Sequence, residues 1–267
     1  MPFAPTSLSL KRFTSHLVFP ALAIGFSMLS QAQAAELETT LAYNVGAVSD
    51  YRFRGITQTT QAGALQGGID YAHKSGFYVG TFLSNVRWVQ DFNGATSGNL
   101  ELDLYGGYKG EIVPGLAFDI GAITYQYPGN NSGATGTPSF GKYSNANTTE
   151  IYGALTYSVA TLKVSQSTGD FLGNLNSNGS LYVDLSATFD LGNGYTLTPH
   201  VGRQTIPGQD SAGDYSDYSL TLGKDMGNGF SFSLAATGTN ASNAFYTDLR
   251  GNFLGNNTAF LGMKYTF

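Results

Sequence analysis

Apolar and polar residues alternate along most of this chain. Between Leu41 and Ala47 the odd-numbered residues are apolar, and Ala42, Asn44 and Gly46 lie between them. A period of two is typical of a strand with one apolar and one polar face. The pattern returns near 65–71, 100–105, 116–120, 151–157, 181–186, 230–234 and 261–267, and less regularly in 77–87, 161–168, 195–205 and 217–225. It predicts about twelve strands of roughly nine to eleven residues, the length of tilted membrane-spanning strands.

The segments between the predicted strands alternate in length. Asn-Gly favours a two-residue hairpin turn because both central residues of a type I′ turn need positive φ. Two short turns are near-copies, DLGNGY at 190–195 and DMGNGF at 225–230. Short turns at one end and long loops at the other are typical of an outer-membrane barrel with periplasmic turns. The long segments lie near 54–63, 88–98, 128–148, 169–180, 206–216 and 240–256, and the short turns lie at 73–76, 110–115, 160, 191–194 and 226–229.

Two segments do not fit the strand pattern simply. Pro199 lies within the ninth predicted strand, where it has no N–H to donate and where a closed barrel offers no free edge. We therefore expect either a bulge there or a strand that starts after it. The segment 128–148 is rich in Gly, Asn, Ser and Thr, so the pattern predicts no conformation for it.

The N-terminus has the pattern of an export signal. Lys11 and Arg12 precede an apolar stretch at 17–29, and Ala32-Gln33-Ala34 supplies small residues around a cleavage site. The apolar stretch is shorter than the about 20 residues that a spanning helix needs, although an N-terminal anchor is the alternative. We predict a signal peptide at 1–34 and an all-β, transmembrane antiparallel barrel of about twelve strands at 35–267.

Composition supports this fold class and excludes several others. The chain has 267 residues, of which 35 are Gly, 18 Phe and 17 Tyr, and only 12% are charged. So many aromatic residues argue against a disordered chain, and the net charge of −5 argues against a nucleic-acid partner. The chain contains no cysteine, which excludes disulfides and thiolate metal sites. A soluble sandwich or cup is the alternative, but no second layer is encoded to cover the apolar faces.

The C-terminus resembles a recognition element for barrel assembly. The residues that carry it alternate along the last predicted strand: Leu261, Met263, Tyr265 and Phe267. A terminal aromatic residue behind alternating apolar residues is similar to the signal read by the barrel-assembly machinery. We therefore expect that machinery, outer-membrane lipids and lipopolysaccharide as partners, and the cell outer membrane as the location.

Four segments resemble one family of proteobacterial outer-membrane proteins, the TorF-like porins. They are SDYRFRGITQT at 49–59, ALQGGIDYAHKSGFYVGTFLSNV at 64–86, ELDLYGGYKG at 101–110 and DIGAITYQYPG at 119–129, in the order that the family shows. The resemblance is dense over roughly the first five strands and depends afterwards on strand spacing and the terminal Phe. It implies an outer-membrane barrel with a pore role, and it implies no catalytic or ligand residues.

If the apolar face contacts lipid, the polar face lines a lumen. The charged residues and histidine predicted there are Asp50, Arg52, Arg54, Asp70, Glu101, Asp103, Lys109, Asp119, Glu150, Lys163, Asp184 and His200. Acids outnumber permanent bases in this set, which predicts a modest cation preference. Arg52 and Arg54 are expected on one face of the first strand, opposed to Glu101 and Asp103 across the lumen. The sequence thus predicts a channel for passive diffusion of small hydrophilic solutes or ions.

Three alternatives remain open. A lattice of ion pairs could plug the lumen and leave a closed structural or adhesive barrel. A lipid-modifying barrel enzyme would need a Ser–His pair, but His73 and Ser75 lie in a short turn, away from the long-loop end. Asp210, Asp214 and Asp217 offer carboxylates to calcium, but their spacing matches no loop motif, and a solvated loop is expected instead. We therefore predict no enzyme activity, no cofactor and no metal.

Overall fold

The computed structural model of the protein describes residues 38–267, so the predicted signal peptide lies outside the described residues. Within that range no helix is long and apolar enough to cross a membrane. The helical elements are α1 (Trp88–Asp91) and one 3₁₀ turn (Phe171–Gly173). The strands are β1 (Thr39–Val48), β2 (Arg52–Phe53), β3 (Ile56–Thr57), β4 (Ala64–His73), β5 (Phe77–Asn85), β6 (Leu100–Val113), β7 (Leu116–Gln126), β8 (Thr148–Tyr157), β9 (Ala160–Ser167), β10 (Leu181–Ala187), β11 (Phe189–Gly192), β12 (Tyr195–Thr205), β13 (Tyr215–Gly227), β14 (Phe230–Thr239) and β15 (Thr258–Thr266).

One antiparallel sheet contains every strand except β2 and β3. From β4 to β15, strands that are adjacent in the sheet follow the order of the chain. Strand β1 pairs with both β4 and β15. That double pairing closes the sheet into a barrel. Because β10 and β11 are successive pieces that both pair with β12, the wall has twelve strands, as the sequence predicts.

The connections alternate in length around the barrel, which confirms the predicted pattern. We call the end that carries the short connections, together with Thr39 and Phe267, the turn end. The opposite end is the loop end. Its connectors are residues 49–63, 86–99, 127–147, 168–180, 206–214 and 240–257.

The two near-copy turns adopt the same geometry. The central residues of both have positive φ, with Asn193 at 53° and Gly194 at 76°, and Asn228 at 52° and Gly229 at 83°. This confirms the prediction from Asn-Gly. Each turn also follows a β-bulge, in which an aspartate side chain accepts a hydrogen bond from the backbone N–H two residues later, Asp190 from Gly192 and Asp225 from Gly227, both at 2.8 Å.

Pro199 interrupts the pairing of the neighbouring strand. It lies inside β12, and the adjacent strand is broken between Ala187, where β10 ends, and Phe189, where β11 begins. Proline has no N–H for the ladder, while the N–H of Thr188 points away from β12 and donates to the carbonyl of Val159, next to β9. The pairing register is the same on both sides of the gap. Both expected outcomes, a bulge at Pro199 or a later strand start, are therefore wrong.

The outer face of the barrel is apolar. Exposed aliphatic side chains occur on strand after strand, among them Leu41, Leu65, Val79, Leu104, Ile120, Leu162, Leu220 and Leu261. Exposed aromatic residues gather at the turn end: Phe77, Tyr108, Tyr157, Phe189, Tyr195, Phe230 and Phe267. An apolar band bordered by aromatic residues is typical of a barrel embedded in a membrane. The buried residues lie inside the barrel and among the loop-end connectors.

Candidate functional site

The first long connector, residues 49–63, folds into the lumen, and we call it the inner loop. Its strands β2 and β3 form a small hairpin that is separate from the wall. The chain reverses at Arg54 and Gly55, which have φ of 49° and 79°. The expectation that Arg52 and Arg54 lie on the first strand is therefore wrong, because β1 ends at Val48.

Arg54 connects the inner loop to the opposite side of the barrel wall. Its guanidinium donates to Glu150 Oε2 of β8 at 2.7 Å and to Gln204 Oε1 of β12 at 2.8 Å. The guanidinium carbon lies 4.3 Å from the ring centroid of Tyr182 on β10. These strands lie on the far side of the sheet from β1. Burial alone lowers the pKa of Arg54, but the Glu150 carboxylate and neighbouring groups raise it, so the net pKa is above the usual value.

Beside Arg54, three carboxylates lie close together on β6 and β8. Tyr51 Oη of the inner loop donates to Glu101 Oε1 at 2.5 Å. Asp103 is 0% exposed, and neither of its oxygens accepts a hydrogen bond from any residue in 38–267. Glu150 Oε1 likewise has no partner in this part of the chain. The expected opposition of Arg54 to Glu101 and Asp103 is replaced by the pairs Arg54–Glu150 and Tyr51–Glu101.

Arg52 has a different set of partners. It forms an ion pair with Asp50 at 2.7 Å and donates to the carbonyl of Gly55 at 2.9 Å. Its other contacts are the carbonyl and side-chain oxygens of Asn256, at 2.9 and 2.8 Å. All of these partners belong to connectors, so Arg52 fastens the inner loop to the last long connector.

The other loop-end connectors cover the inner loop. The N–H groups of Arg87 and Trp88 donate to the carbonyl of Gln58, and Thr57 donates to the carbonyl of Leu254. Above these contacts, aromatic and aliphatic side chains pack into one cluster. Its buried members are Ile56, Tyr215, Ala241, Tyr246 and Leu254. Burial in this cluster raises the pKa of Tyr246.

The turn-end half of the lumen carries half-buried polar groups. Tyr78 Oη donates to Asp119 at 2.6 Å, and the ammonium of Lys163 lies 4.1 Å from the Tyr152 ring centroid. The remaining predicted lumen residues of this half have similar surroundings. Asp70 accepts from Tyr105, Lys109 lies over the ring of Tyr78, and Asp184 pairs with His200. The predicted residues thus form two layers, a buried one around the inner loop and a half-buried one toward the turn end.

Sequence reasoning missed several interior residues. Asp217, considered above as part of an acidic loop for calcium, lies on β13 inside the barrel and accepts from Tyr182 Oη at 3.0 Å. Lys264 of β15 also belongs to the interior, as does Gln204. Their position on the polar face of a regular strand was the available signal. Among residues 38–267, no group of three or more His, Asp or Glu side chains is arranged to hold a metal ion.

The candidate Ser–His pair lies at the turn end. His73 Nδ1 and Ser75 Oγ are 2.6 Å apart. His200 pairs instead with Asp184 and lies 3.6 Å from Asp217. Neither histidine lies at the loop end.

Comparisons with known proteins agree with this architecture. A family model described as "Bacterial protein of unknown function (Gcw_chp)" matches residues 32–267. No curated protein matches the sequence. A solved KdgM porin, in complex with disordered oligogalacturonate, is similar with a TM-score of 0.52 and 8% identity, covering 86% of this chain and 99% of that chain. The NanC porin is similar with a TM-score of 0.51 and 9% identity, covering 85% and 99%.

A third solved structure, LpxR from Salmonella typhimurium, has a TM-score of 0.46 and 12% identity, covering 85% of this chain and 99% of that chain. At the identities of the two porins, the likeness establishes the fold alone. That fold is the closed antiparallel barrel of outer-membrane porins.

Proposed function

This chain belongs to the Gcw_chp family of bacterial proteins of unknown function, and we propose that it is an outer-membrane channel for small hydrophilic solutes or ions, narrowed by its inner loop. The observation that carries the proposal is a closed wall with an apolar outer face and a charged interior. Charged side chains inside a membrane barrel are stable where they meet water or one another. A continuous polar interior is what a water-filled passage requires.

The distribution of burial supports passage from the turn end as far as the inner loop. Asp70, Asp119 and Lys163 are half-buried, whereas Glu101 and Glu150 beside the inner loop are 2% and 1% exposed. The constriction is therefore the inner loop, at the loop end of the lumen. The resemblance to TorF-like porins supports the same pore role.

Selectivity follows from the interior charges. Asp217 and Lys264 add one acid and one base to the predicted set, so acids still outnumber permanent bases. A net negative interior between low-dielectric walls concentrates cations. We expect a modest cation preference, carried mainly by the half-buried carboxylates of Asp70, Asp119 and Asp184.

The proposal includes a membrane orientation and partners. The turn end faces the periplasm, and the long connectors face the outside, where they meet lipopolysaccharide. Leu261, Met263 and Phe267 are exposed on the outer face of β15 or just beyond it. Because these side chains are exposed, they are accessible for binding to the barrel-assembly machinery.

A closed structural barrel is the second candidate, and the inner loop favours it. The contacts of Arg54 with β8 and β12 span the lumen, and the connectors above cover the hairpin. An enzyme is not proposed, since His73 and Ser75 lie in a turn rather than at the loop end. Detergent-solubilised protein should accordingly release no fatty acid from phospholipid or lipid A.

Single-channel conductance in a planar bilayer separates the channel from the closed barrel. We expect small discrete steps from the wild type and larger steps when residues 51–60 are replaced by a Gly/Ser linker. Reversal potentials in a potassium chloride gradient should show cation preference. Folding of both proteins is checked by the gel shift on heating. A folded linker variant that conducts no current would overturn the channel.

A further inference from the structure

The wall around Arg54 has the features of a binding site that is already occupied. We propose that Glu150, Gln204, Tyr182 and the neighbouring acids form a site for a small organic cation with a guanidinium group. Arg54 of the inner loop is the internal occupant of that site. The inference rests on the proposed function only because a solute must enter the lumen as far as the inner loop to reach the site.

The acceptors for the guanidinium come from two separate wall strands. Glu150 Oε2 of β8 and Gln204 Oε1 of β12 accept from different nitrogens of Arg54, at 2.7 and 2.8 Å. Tyr125 Oη donates to the same Glu150 oxygen at 3.1 Å and holds it in place. A charge-assisted pair with a second acceptor beside it is the arrangement that selects a planar cation with several donors.

Aromatic rings complete the surroundings of the cation. The guanidinium carbon lies 4.3 Å from the ring centroid of Tyr182 and 5.4 Å from that of Phe171. Both distances are within the range in which a cation is attracted to an aromatic face. The rings belong to β10 and to the connector after β9, so they do not move with the inner loop.

The site holds more carboxyl groups than one guanidinium pairs with. Asp103 is fully buried with both oxygens unpartnered, and Glu150 Oε1 is unpartnered too, among the residues that the structure describes. Glu101 lies two residues from Asp103 on β6. A buried carboxylate without a donor is costly, and a cation with further donors would relieve that cost.

Arg52, the other arginine of the inner loop, has no hydrogen-bond partner on a wall strand among residues 38–267. The partners of Arg52 are Asp50, Gly55 and Asn256, all in connectors, and they would separate if the inner loop left the lumen. The partners of Arg54 belong to wall strands, so they would keep their positions if the inner loop left the lumen. Arg54 also has φ of 49°, a conformation that residues other than Gly, Asn and Asp rarely adopt.

Chemical rescue tests the site without requiring conduction. The variant Arg54→Ala empties the guanidinium position, and its melting temperature is measured with guanidinium chloride at millimolar concentration, far below denaturing levels. We expect a saturable rise in melting temperature that equimolar sodium chloride and urea do not produce. The double variant Arg54→Ala/Glu150→Gln is the matched control and should show no rise.

The outcomes separate this site from the channel. Equal stabilisation of Arg54→Ala and its Glu150→Gln double variant, or none in either, would overturn the site even if the barrel conducts. Saturable rescue in a barrel that conducts no current would retain the site and overturn the channel. If Arg54→Ala does not fold, Arg54→Gln removes the charge and the guanidinium while keeping a shorter polar side chain, and it is compared in the same way.

Discussion

Asp103 and Glu150 lie close together in the lumen, yet the loss of each charge should affect stability differently. Glu150 pairs with Arg54, and Glu150→Gln would leave a buried guanidinium without its counter-ion. Breaking one partner of a buried pair costs about 3–5 kcal/mol. Asp103 has no donor among the described residues, so Asp103→Asn removes an uncompensated carboxylate and should leave the protein at least as stable.

Urea unfolding of the three proteins in detergent, followed by the gel shift on heating, measures this difference. We expect the unfolding midpoint of Glu150→Gln below that of the wild type and the midpoint of Asp103→Asn at or above it. The reverse order would show that Asp103, and not Glu150, compensates the charge of Arg54.

At the scale of elements, the hairpin of β2 and β3 depends on one close approach to the wall. A Cβ added at Gly55 would lie 2.5 Å from Thr239 Cγ2 and 2.8 Å from Asp217 Cβ, and its φ of 79° disfavours other residues. Gly55→Ala should therefore displace the hairpin tip, weaken the contacts of Arg54 and raise single-channel conductance. Gly63→Ala in the same loop is the control, since its nearest neighbour would be Val48 O at 3.5 Å.

Conductance that rises equally in both glycine variants would contradict a specific role for the hairpin tip. Unchanged conductance in a folded Gly55→Ala variant would show that the inner loop is not the constriction.

The wall was predictable from the sequence because its determinants are local. Period-two alternation specifies a strand, and Asn-Gly at 193–194 and 228–229 specifies the turns through the backbone preferences of two residues. The position of the inner loop depends instead on partners far along the chain. Arg54 meets Glu150 and Gln204, which are 96 and 150 residues away, and such pairings require the barrel register. No local pattern encodes that register.

The same dependence on distant partners explains why the prediction at Pro199 was wrong. The sequence correctly located a disruption of the ladder, but the form of the disruption depended on the neighbouring strand. Because only the N–H of the proline is missing, the ladder loses pairing with β10 and β11 at that point without a change of register. The interior charges were predicted from strand phase alone, and that reasoning failed where β1 ended before Arg52.

At the scale of the whole molecule, Phe267 should matter for assembly more than for the finished barrel. Its side chain is exposed on the outer surface, and its N–H donates to the carbonyl of Tyr43 at 2.9 Å. Deletion of Phe267 should lower the amount of protein in the outer membrane severalfold, while the melting temperature of the assembled fraction changes little. Quantitative blotting of membrane fractions measures the first effect, and normal levels of the deletion variant would contradict the assembly role.

The orientation of the barrel can be tested on intact cells because the chain contains no cysteine. Leu249, 63% exposed, lies in the last long connector, and Lys74 is exposed in the first short turn. With the turn end in the periplasm, a membrane-impermeant maleimide should label Leu249→Cys on intact cells and Lys74→Cys only after the outer membrane is permeabilised. The two variants are matched, since each replaces one exposed residue outside the wall. Labelling of Lys74→Cys on intact cells, with Leu249→Cys protected, would invert the orientation and place the inner loop at the periplasmic mouth.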